Sequence, residues 1–141
     1  MRDSTNSKGK VILCVDDEAV GLSVRKMLLE SRGYRVFTAE SGPDALVLFS
    51  SEDLDLRGPG SVILDYLMPE INGDVVARKM KDLRSDLPII MFSADVDLPS
   101  ETLELVDKSV TKGAAPIVLL KAIGELLGGR HDLRSIAISA D

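Results

Sequence analysis

The sequence predicts an α/β domain in which a parallel β-sheet is covered by helices on both faces. Five short apolar runs alternate along the chain with five helical patterns, and this alternation is typical of parallel sheets. The first run is continuous in apolar residues, as in strands that are buried on both sides, whereas the fifth run is short and polar. With 141 residues, 45% of them hydrophobic, the chain is long enough for one domain with a single core.

Each predicted element is defined by its own pattern and by the residues that flank it. Strands are predicted at residues 10–15, 34–38, 61–64, 89–92 and 108–111. Helices are predicted at residues 18–31, 41–49, 75–83, 99–106 and 116–127. Proline in a first turn (Pro43, Pro116) and glycine after a last turn (Gly33) support these boundaries. In the first helix, the spacing places one set of residues on a shared face: Val20, Val24, Met27, Leu28 and Ser31.

The composition argues against several classes of protein. Acidic residues outnumber basic residues by 23 to 17, and the formal net charge of -6 argues against a nucleic-acid-binding surface. The N-terminal segment has no apolar signal core, and no apolar run approaches membrane-spanning length. The one cysteine, Cys14, cannot form an intrachain disulfide and is predicted to be a buried thiol. We therefore expect a cytoplasmic protein without direct contact to nucleic acid or membrane.

Polar side chains follow four of the five predicted strands. They are Asp16-Asp17-Glu18 after the first strand, Asp65 after the third, Ser93-Ala94 at the end of the fourth and Lys112 after the fifth. Ligands of open parallel sheets bind beyond the carboxyl ends of the strands. In the strand order 2-1-3-4-5 these four strands are neighbours, so the carboxylates, the hydroxyl and the ammonium group are expected to meet in one cleft.

This set of residue types indicates phosphoryl chemistry. Clustered carboxylates suit a hard cation such as Mg²⁺, which is usually held by one or two carboxylates together with phosphate. A lysine ammonium and a serine hydroxyl are suitable partners for phosphoryl oxygens. A carboxylate can itself act as the nucleophile and form an aspartyl-phosphate. The constellation therefore predicts phosphoryl transfer to an acidic side chain.

The same segments resemble the receiver domain of two-component response regulators. The resemblance rests on Val15-Asp16-Asp17-Glu18, on Asp65-Tyr66-Leu67-Met68-Pro69 with Gly73, on Ser93-Ala94 and on Lys112, and it covers about residues 10–127. It implies the flavodoxin-like (βα)5 three-layer sandwich, with a five-stranded parallel sheet in the order 2-1-3-4-5. We expect residues 1–9 to be a flexible N-terminus, residues 10–128 to be the receiver domain, and residues 129–141 to be a tail or truncated linker.

The resemblance also implies roles for individual residues. Asp65 is expected to be the phospho-acceptor and Asp17 a direct Mg²⁺ ligand. Asp16 is expected to act through a bound water, and the backbone carbonyl of Leu67 to supply a further metal ligand. The phosphoryl donor would be a phosphohistidine on a sensor histidine kinase or on a histidine phosphotransfer protein. Phosphorylation would then change binding to a downstream partner, which the sequence does not identify.

The chain departs from the family pattern close to the expected phosphoryl contacts. Ser93 and Lys112 are expected to contact the phosphoryl group, but Gly113 follows the lysine where the family usually has proline. Three residues before the lysine, where receivers commonly carry Tyr or Phe, the chain has Ser109. Since that ring normally reports the movement of the hydroxyl, transmission of the signal stays open. Near the phosphorus, Leu67 cannot orient a water molecule, whereas Asp95 is able to.

The last helix has a second apolar feature beside its core stripe. Leu119, Leu120, Ile123 and Leu127 recur at helical spacing, whereas Ile117 falls on the opposite side and Val118 at the edge. Single exposed apolar residues are normal on protein surfaces. Our hypothesis is that this face contacts a partner or forms a homodimer with a second copy of the chain.

Four alternatives remain at this stage. Asp16 and Asp17 would also serve as simple caps of the first helix. The chain could be a receiver-like docking scaffold that works without phosphorylation. A Mg²⁺-dependent phosphatase with an aspartyl nucleophile typically has a second Asp two residues later, where this chain has Leu67. A flavin carrier with the same sheet needs a phosphate-binding loop after the first strand, and the acidic residues there would repel the flavin phosphate.

Overall fold

Five strands alternate with five helices in residues 10–51, 60–94 and 97–127, the part of the chain that the computed structural model describes. The strands are β1 (Val11–Val15), β2 (Arg35–Ala39), β3 (Ser61–Leu64), β4 (Ile89–Ser93) and β5 (Lys108–Thr111). The helices are α1 (Ala19–Glu30), α2 (Gly42–Phe49), α3 (Gly73–Leu83), α4 (Ser100–Leu105) and α5 (Pro116–Leu127). All ten elements were predicted, most of them with ends within about two residues of those observed. The predicted N-terminus and tail, and Asp95, lie outside the described residues.

The strands form one sheet in the order β2-β1-β3-β4-β5, and every neighbouring pair is parallel. This confirms the predicted flavodoxin-like architecture. The register pairs Val15 with Leu64 and Leu64 with Met91, so β1, β3 and β4 end at the same edge of the sheet. The residues that follow these strands are therefore brought together by the sheet itself.

The alternating side chains of the strands feed one apolar core on each face of the sheet. On one face, Leu13 and Val15 pack with residues of α3, including Val76 and Met80. On the other face, Ile12 packs with residues of α1 and α5. Because side chains point alternately to the two faces, strands buried on both sides must be apolar at every position. This is why the central strands β1, β3 and β4 appear in the sequence as nearly continuous apolar runs, whereas the edge strands β2 and β5 include polar residues.

Cys14 belongs to the core between the sheet and helices α1 and α5, and is buried as predicted. Burial raises the pKa of its thiol to about 12, because the charged thiolate would lose its solvation. The thiol is therefore protonated at neutral pH, as expected for a structural cysteine.

Among the helices that the structure describes, none combines the length and apolar character needed to cross a membrane.

Helix α1 is present as predicted, but its apolar spacing identifies the exposed face. Val20, Val24 and Met27 are 76%, 61% and 69% exposed, whereas Leu22 and Leu29 on the other side are buried. The helix carries apolar residues at helical spacing on both sides, so periodicity alone does not distinguish the core face. Most of the predicted shared face is thus a surface of the domain, although Leu28 packs against the core while partly buried.

Helix α5 follows the prediction more closely. Leu119, Leu120 and Ile123 are buried against the sheet, and Leu127 packs against the same core while partly buried. The predicted outward residues Ile117 and Val118 are 42% and 44% exposed. The helix begins at Pro116, whose fixed φ and missing N–H suit a first helical turn.

Candidate functional site

The sheet brings three carboxylates together at its carboxyl edge. Asp16 directly follows β1, Asp17 comes next, and Asp65 directly follows β3. One carboxylate oxygen from each of the three residues lies within 4.8 Å of the other two. Asp16 and Asp65 are buried, whereas Asp17 is exposed at the mouth of the cluster. The three side chains are positioned to bind a metal ion, and the exposed side leaves room for water ligands.

Backbone hydrogen bonds hold the two buried carboxylates in place. The amide of Asp65 donates to the carbonyl of Val15 at 3.0 Å, and the amide of Asp16 donates to the carbonyl of Ala39 at 3.1 Å. Oδ1 of Asp16 accepts the amide of Glu18 at 2.9 Å, which forms an Asx turn directly before α1. Oδ2 of Asp16 faces the cluster. Asp16 therefore belongs to the acidic pocket, whereas the alternative of a helix cap is wrong, since α1 begins after Glu18 without a side-chain cap.

Lys112 supplies a cation to this cluster. Its Nζ atom lies 2.6 Å from Oδ2 of Asp16 and 3.2 Å from Oδ2 of Asp65. The lysine follows β5, and its amide donates to the carbonyl of Ser93 at 2.9 Å, which ties it to the end of β4. Lys112 is thus the cation that the sequence placed in the cleft. A phosphoryl group on Asp65 would meet an ammonium group that is already in position.

Ser93 and Leu67 lie where the strand ends predict them. Ser93 is the last residue of β4 and is 3% exposed, on a strand that lies between β3 and β5. Leu67 comes two residues after Asp65, and its side chain is 57% exposed. The contact of Ser93 with a phosphoryl group and the metal contact of the Leu67 carbonyl stay predictions.

The two departures from the family pattern have different structural consequences. Ser109 is exposed on β5, and its side chain has no ring that could report a movement of Ser93. A Cβ atom added at Gly113 would meet no atom of the described residues within 4 Å. Crowding therefore does not explain the glycine after Lys112.

One further side chain, Arg25 of α1, reaches the pocket and was missed in the sequence. Its Nη2 atom donates to Oδ2 of Asp16 at 2.8 Å, and its guanidinium lies over the ring of Phe92 at 4.7 Å from the centroid. Arg25 occupies the same helix face as Leu22 and Leu29, which would have been a signal only if that face of α1 had been identified as the core face. A charged residue at a core position predicts a buried partner of opposite charge, and here that partner is Asp16.

The carboxylates have different pKa values because their surroundings differ. Burial and, second to it, the nearby charge of Asp16 together raise the pKa of Asp65 to about 6, against the opposing effect of Lys112. Burial has the same tendency at Asp16, but hydrogen bonds from Lys112 and from the Glu18 amide outweigh it and lower the pKa. Burial opposes the charged form of Lys112, yet its bonds to the two carboxylates raise its pKa. The surroundings thus disfavour negative charge on Asp65 and favour it on Asp16.

Replacing Asp65 by Asn should reveal the raised pKa of Asp65 in the pH dependence of the free energy of unfolding. A folded pKa of about 6, above the ordinary 3.8, means that the folded state binds more protons than the unfolded state between these values. The contribution of Asp65 to stability is therefore lost as pH rises through that window. Relative to wild type, Asp65→Asn should gain about 1–2 kcal/mol in free energy of unfolding between pH 4 and 7. Urea unfolding in a chelator measures the difference, and a constant difference across this range would contradict it.

Comparison with known proteins supports the interpretation of this acidic pocket as a site of phosphorylation. An acidic pocket of this kind, at the carboxyl edge of a parallel sheet in this order, is compatible with phosphorylation. The chain belongs to the response regulator receiver domain family, whose model matches residues 12–123. Receiver domains of this family act as phosphorylation switches.

Relatives by sequence are longer than this chain. The chain is 39% identical over 124 residues to the probable transcriptional regulator ycf27 of Cyanophora paradoxa, covering 84% of this chain and 48% of that protein. It is 33% identical over 119 residues to the response regulator SaeR of Staphylococcus aureus (strain USA300), covering 82% and 50%. The chain thus spans about half the length of these relatives.

Solved structures show the same fold. The response regulator TrrA of Thermotoga maritima, in complex with Mg²⁺-BeF, superimposes with a TM-score of 0.74 at 34% identity, covering 84% of this chain and 99% of TrrA. TrrA in complex with the histidine kinase ThkA also superimposes with a TM-score of 0.74 at 34% identity, covering 84% of this chain and 98% of TrrA.

Proposed function

We propose that this chain is a phosphorylatable switch of a two-component phosphorelay and that Asp65 accepts the phosphoryl group. The observation that carries the proposal is the contact of Lys112 with both Asp16 and Asp65 inside the three-carboxylate cluster. Such an arrangement compensates charge at a carboxylate that is otherwise disfavoured by burial. The chain would catalyse its own phosphorylation and dephosphorylation and turn over no external metabolite.

The phosphoryl transfer follows from these positions. A carboxylate oxygen of Asp65 attacks the phosphorus of a phosphohistidine, the P–N bond breaks, and the imidazole of the donor takes up a proton. Lys112 then exchanges its contact with the Asp65 carboxylate for one with the phosphoryl oxygens, and the Ser93 hydroxyl donates to another of these oxygens.

The donor set of the pocket fits Mg²⁺. Carboxylates of Asp16, Asp17 and Asp65 provide hard oxygen ligands, and the exposed position of Asp17 admits the waters that Mg²⁺ retains. We propose that Asp17 binds the ion directly, Asp16 through a water, and Leu67 through its carbonyl. When bound, the ion would neutralise charge on the carboxylates and the incoming phosphate.

The donor is proposed to be a sensor histidine kinase or a histidine phosphotransfer protein that docks on α1. Val20 and Val24 are exposed beside the mouth of the pocket. A cavity of about 340 Å³ opens between α1 and the start of α5, with Val24, Phe92 and Pro116 in its lining. Since the phosphohistidine must approach Asp65 from the carboxyl edge of the sheet, an apolar surface at that edge is suited to hold its carrier.

Beryllofluoride, a phosphoryl mimic, tests the proposal when added with Mg²⁺. We expect amide NMR signals near Ser93 and Lys112 to shift in the wild type, because the hydroxyl and ammonium groups close on the mimic. Asp65→Asn should show no such shift. A wild-type protein that binds Mg²⁺ but does not respond to the mimic would favour the alternative, a docking scaffold that works without phosphorylation.

The same samples test the output of the switch. We propose that the last helix, through Ile117 and Val118, contacts a downstream partner or a second copy of the chain, since both side chains are partly exposed. Sedimentation with and without beryllofluoride distinguishes the homodimer from a monomer. A single monomeric species under both conditions would exclude the homodimer.

We further propose that residues 10–128 form the working unit and that it acts in the cytoplasm.

A further inference from the structure

Beside the partly exposed Lys112, the pocket contains a second cation, which is buried and which the proposed phosphoryl chemistry does not use. Among the described residues, Arg25 is the one lysine or arginine in the buried class, at 8% exposed. It lies on the inner face of α1 and donates to Oδ2 of Asp16 at 2.8 Å. Lys112 approaches the same oxygen at 2.6 Å. One oxygen of Asp16 therefore faces two positive charges at once.

The guanidinium of Arg25 is held from two sides. Asp16 contacts its end, and the ring of Phe92 lies under its plane with 4.7 Å between Cζ and the ring centroid. Phe92 precedes Ser93 on β4 and is half-buried. A planar guanidinium between a carboxylate and an aromatic face has little freedom to leave. The cation is thus a fixed part of the pocket wall rather than a mobile surface charge.

The fixed cation changes the charge that a metal ion meets. With Lys112 as its only cation, a cluster of three ionised carboxylates would keep two uncompensated negative charges. With Arg25 as a second cation, only one negative charge of the cluster remains uncompensated. It also occupies hydrogen-bonding capacity on Asp16, which is one of the three residues positioned for the metal. Both effects reduce the attraction of the pocket for a divalent cation.

We propose that Arg25 is a positioning residue that holds Asp16 in the metal-free pocket and thereby weakens the binding of Mg²⁺. The inference rests on the proposed function, because it concerns the cation of the same phosphoacceptor site. Its consequence is that the switch needs a higher Mg²⁺ concentration than the carboxylates alone would require.

The test is the Mg²⁺ affinity of two variants, measured by isothermal titration calorimetry. Arg25→Met keeps an unbranched stem over Phe92 but removes the charge. We expect its dissociation constant for Mg²⁺ to fall about tenfold, because repulsion between a unit and a divalent charge is of this order even when water screens it. Arg25→Lys retains the charge but not the planar group over Phe92, and its dissociation constant should stay closer to that of wild type than to that of Arg25→Met.

A matched control is available on the same helix. Lys26 is the next residue, and it pairs with Glu30 on the surface of α1. Lys26→Met removes an equal charge outside the pocket and should change the affinity less than about twofold at physiological salt. An Arg25→Met protein that folds but binds Mg²⁺ with unchanged or weaker affinity would overturn the proposal.

A measurement on the wild type guards against a variant that does not fold. The NMR signals of the Arg25 side chain should shift on titration with Mg²⁺, with the midpoint found by calorimetry, because the ion and the guanidinium share Asp16. Signals that stay fixed while Mg²⁺ binds would overturn the inference alone. A wild type that does not bind Mg²⁺ would instead overturn the proposed function.

Discussion

Asp65→Asn should lose covalent phosphorylation by a small acyl phosphate in the presence of Mg²⁺. Asn has nearly the same shape, but its neutral amide is a far weaker nucleophile than a carboxylate. We expect the rate of phosphorylation to fall by about 1,000-fold or more, as is usual when the attacking group of a covalent mechanism is removed. Intact-protein mass spectrometry measures the added phosphoryl group. Loss of the adduct in hydroxylamine identifies it as an acyl phosphate.

The chain offers a matched control for this substitution. The carboxylate of Asp86 is 87% exposed, and it lies near Arg84 in the segment between α3 and β4. Asp86→Asn removes one carboxylate from the surface and should be phosphorylated like the wild type. If Asp65→Asn were still phosphorylated at the wild-type rate, the acceptor would be another residue, and the assignment of Asp65 would be wrong.

Gly73→Ala should strongly destabilise the fold and displace Asp65. A Cβ atom at residue 73 would lie 2.2 Å from the carbonyl oxygen of Asp65 and 3.1 Å from the Cα of Tyr66. These are backbone atoms, so relief requires a shift of α3 or of the segment that carries Asp65. The amide of Gly73 also donates to the carbonyl of Tyr66, and that contact would be strained. We expect a loss of about 2–4 kcal/mol in the free energy of unfolding.

Urea unfolding measures this loss, and Gly21→Ala is its control. Gly21 lies in α1, and the nearest atom to an added Cβ is Oε1 of the flexible Glu18 side chain at 3.2 Å. Alanine there gains about 0.5–1 kcal/mol of helix propensity and should be neutral or stabilising. Equal stability of Gly73→Ala and wild type would show that the backbone after Asp65 can shift away from the added Cβ at little cost in free energy. Its close approach to α3 would then not be what positions the acceptor.

The sequence by itself determined most of the sheet and of the acidic pocket. Strands buried on both faces must be apolar throughout, so they stand out in the sequence. Residues at the carboxyl ends of parallel neighbours must converge whatever the helices do. For this reason Asp16, Asp65 and Lys112 were identified as a cluster before any distance was known, and the structure brings them together.

Only the tertiary structure decided which face of α1 enters the core. The helix carries Val20 and Val24 on one side and Leu22 and Leu29 on the other, so its periodicity supports either orientation. The buried side contains Arg25, and apolar patterning argues against burying a face with a charged residue. Burial of Arg25 is tolerated because Asp16 lies opposite and compensates its charge. This contact joins two segments of the chain, and the spacing within α1 does not encode it. The acidic pocket was therefore predicted from strand order, whereas the cation behind it became visible only with the packing of α1 against the sheet.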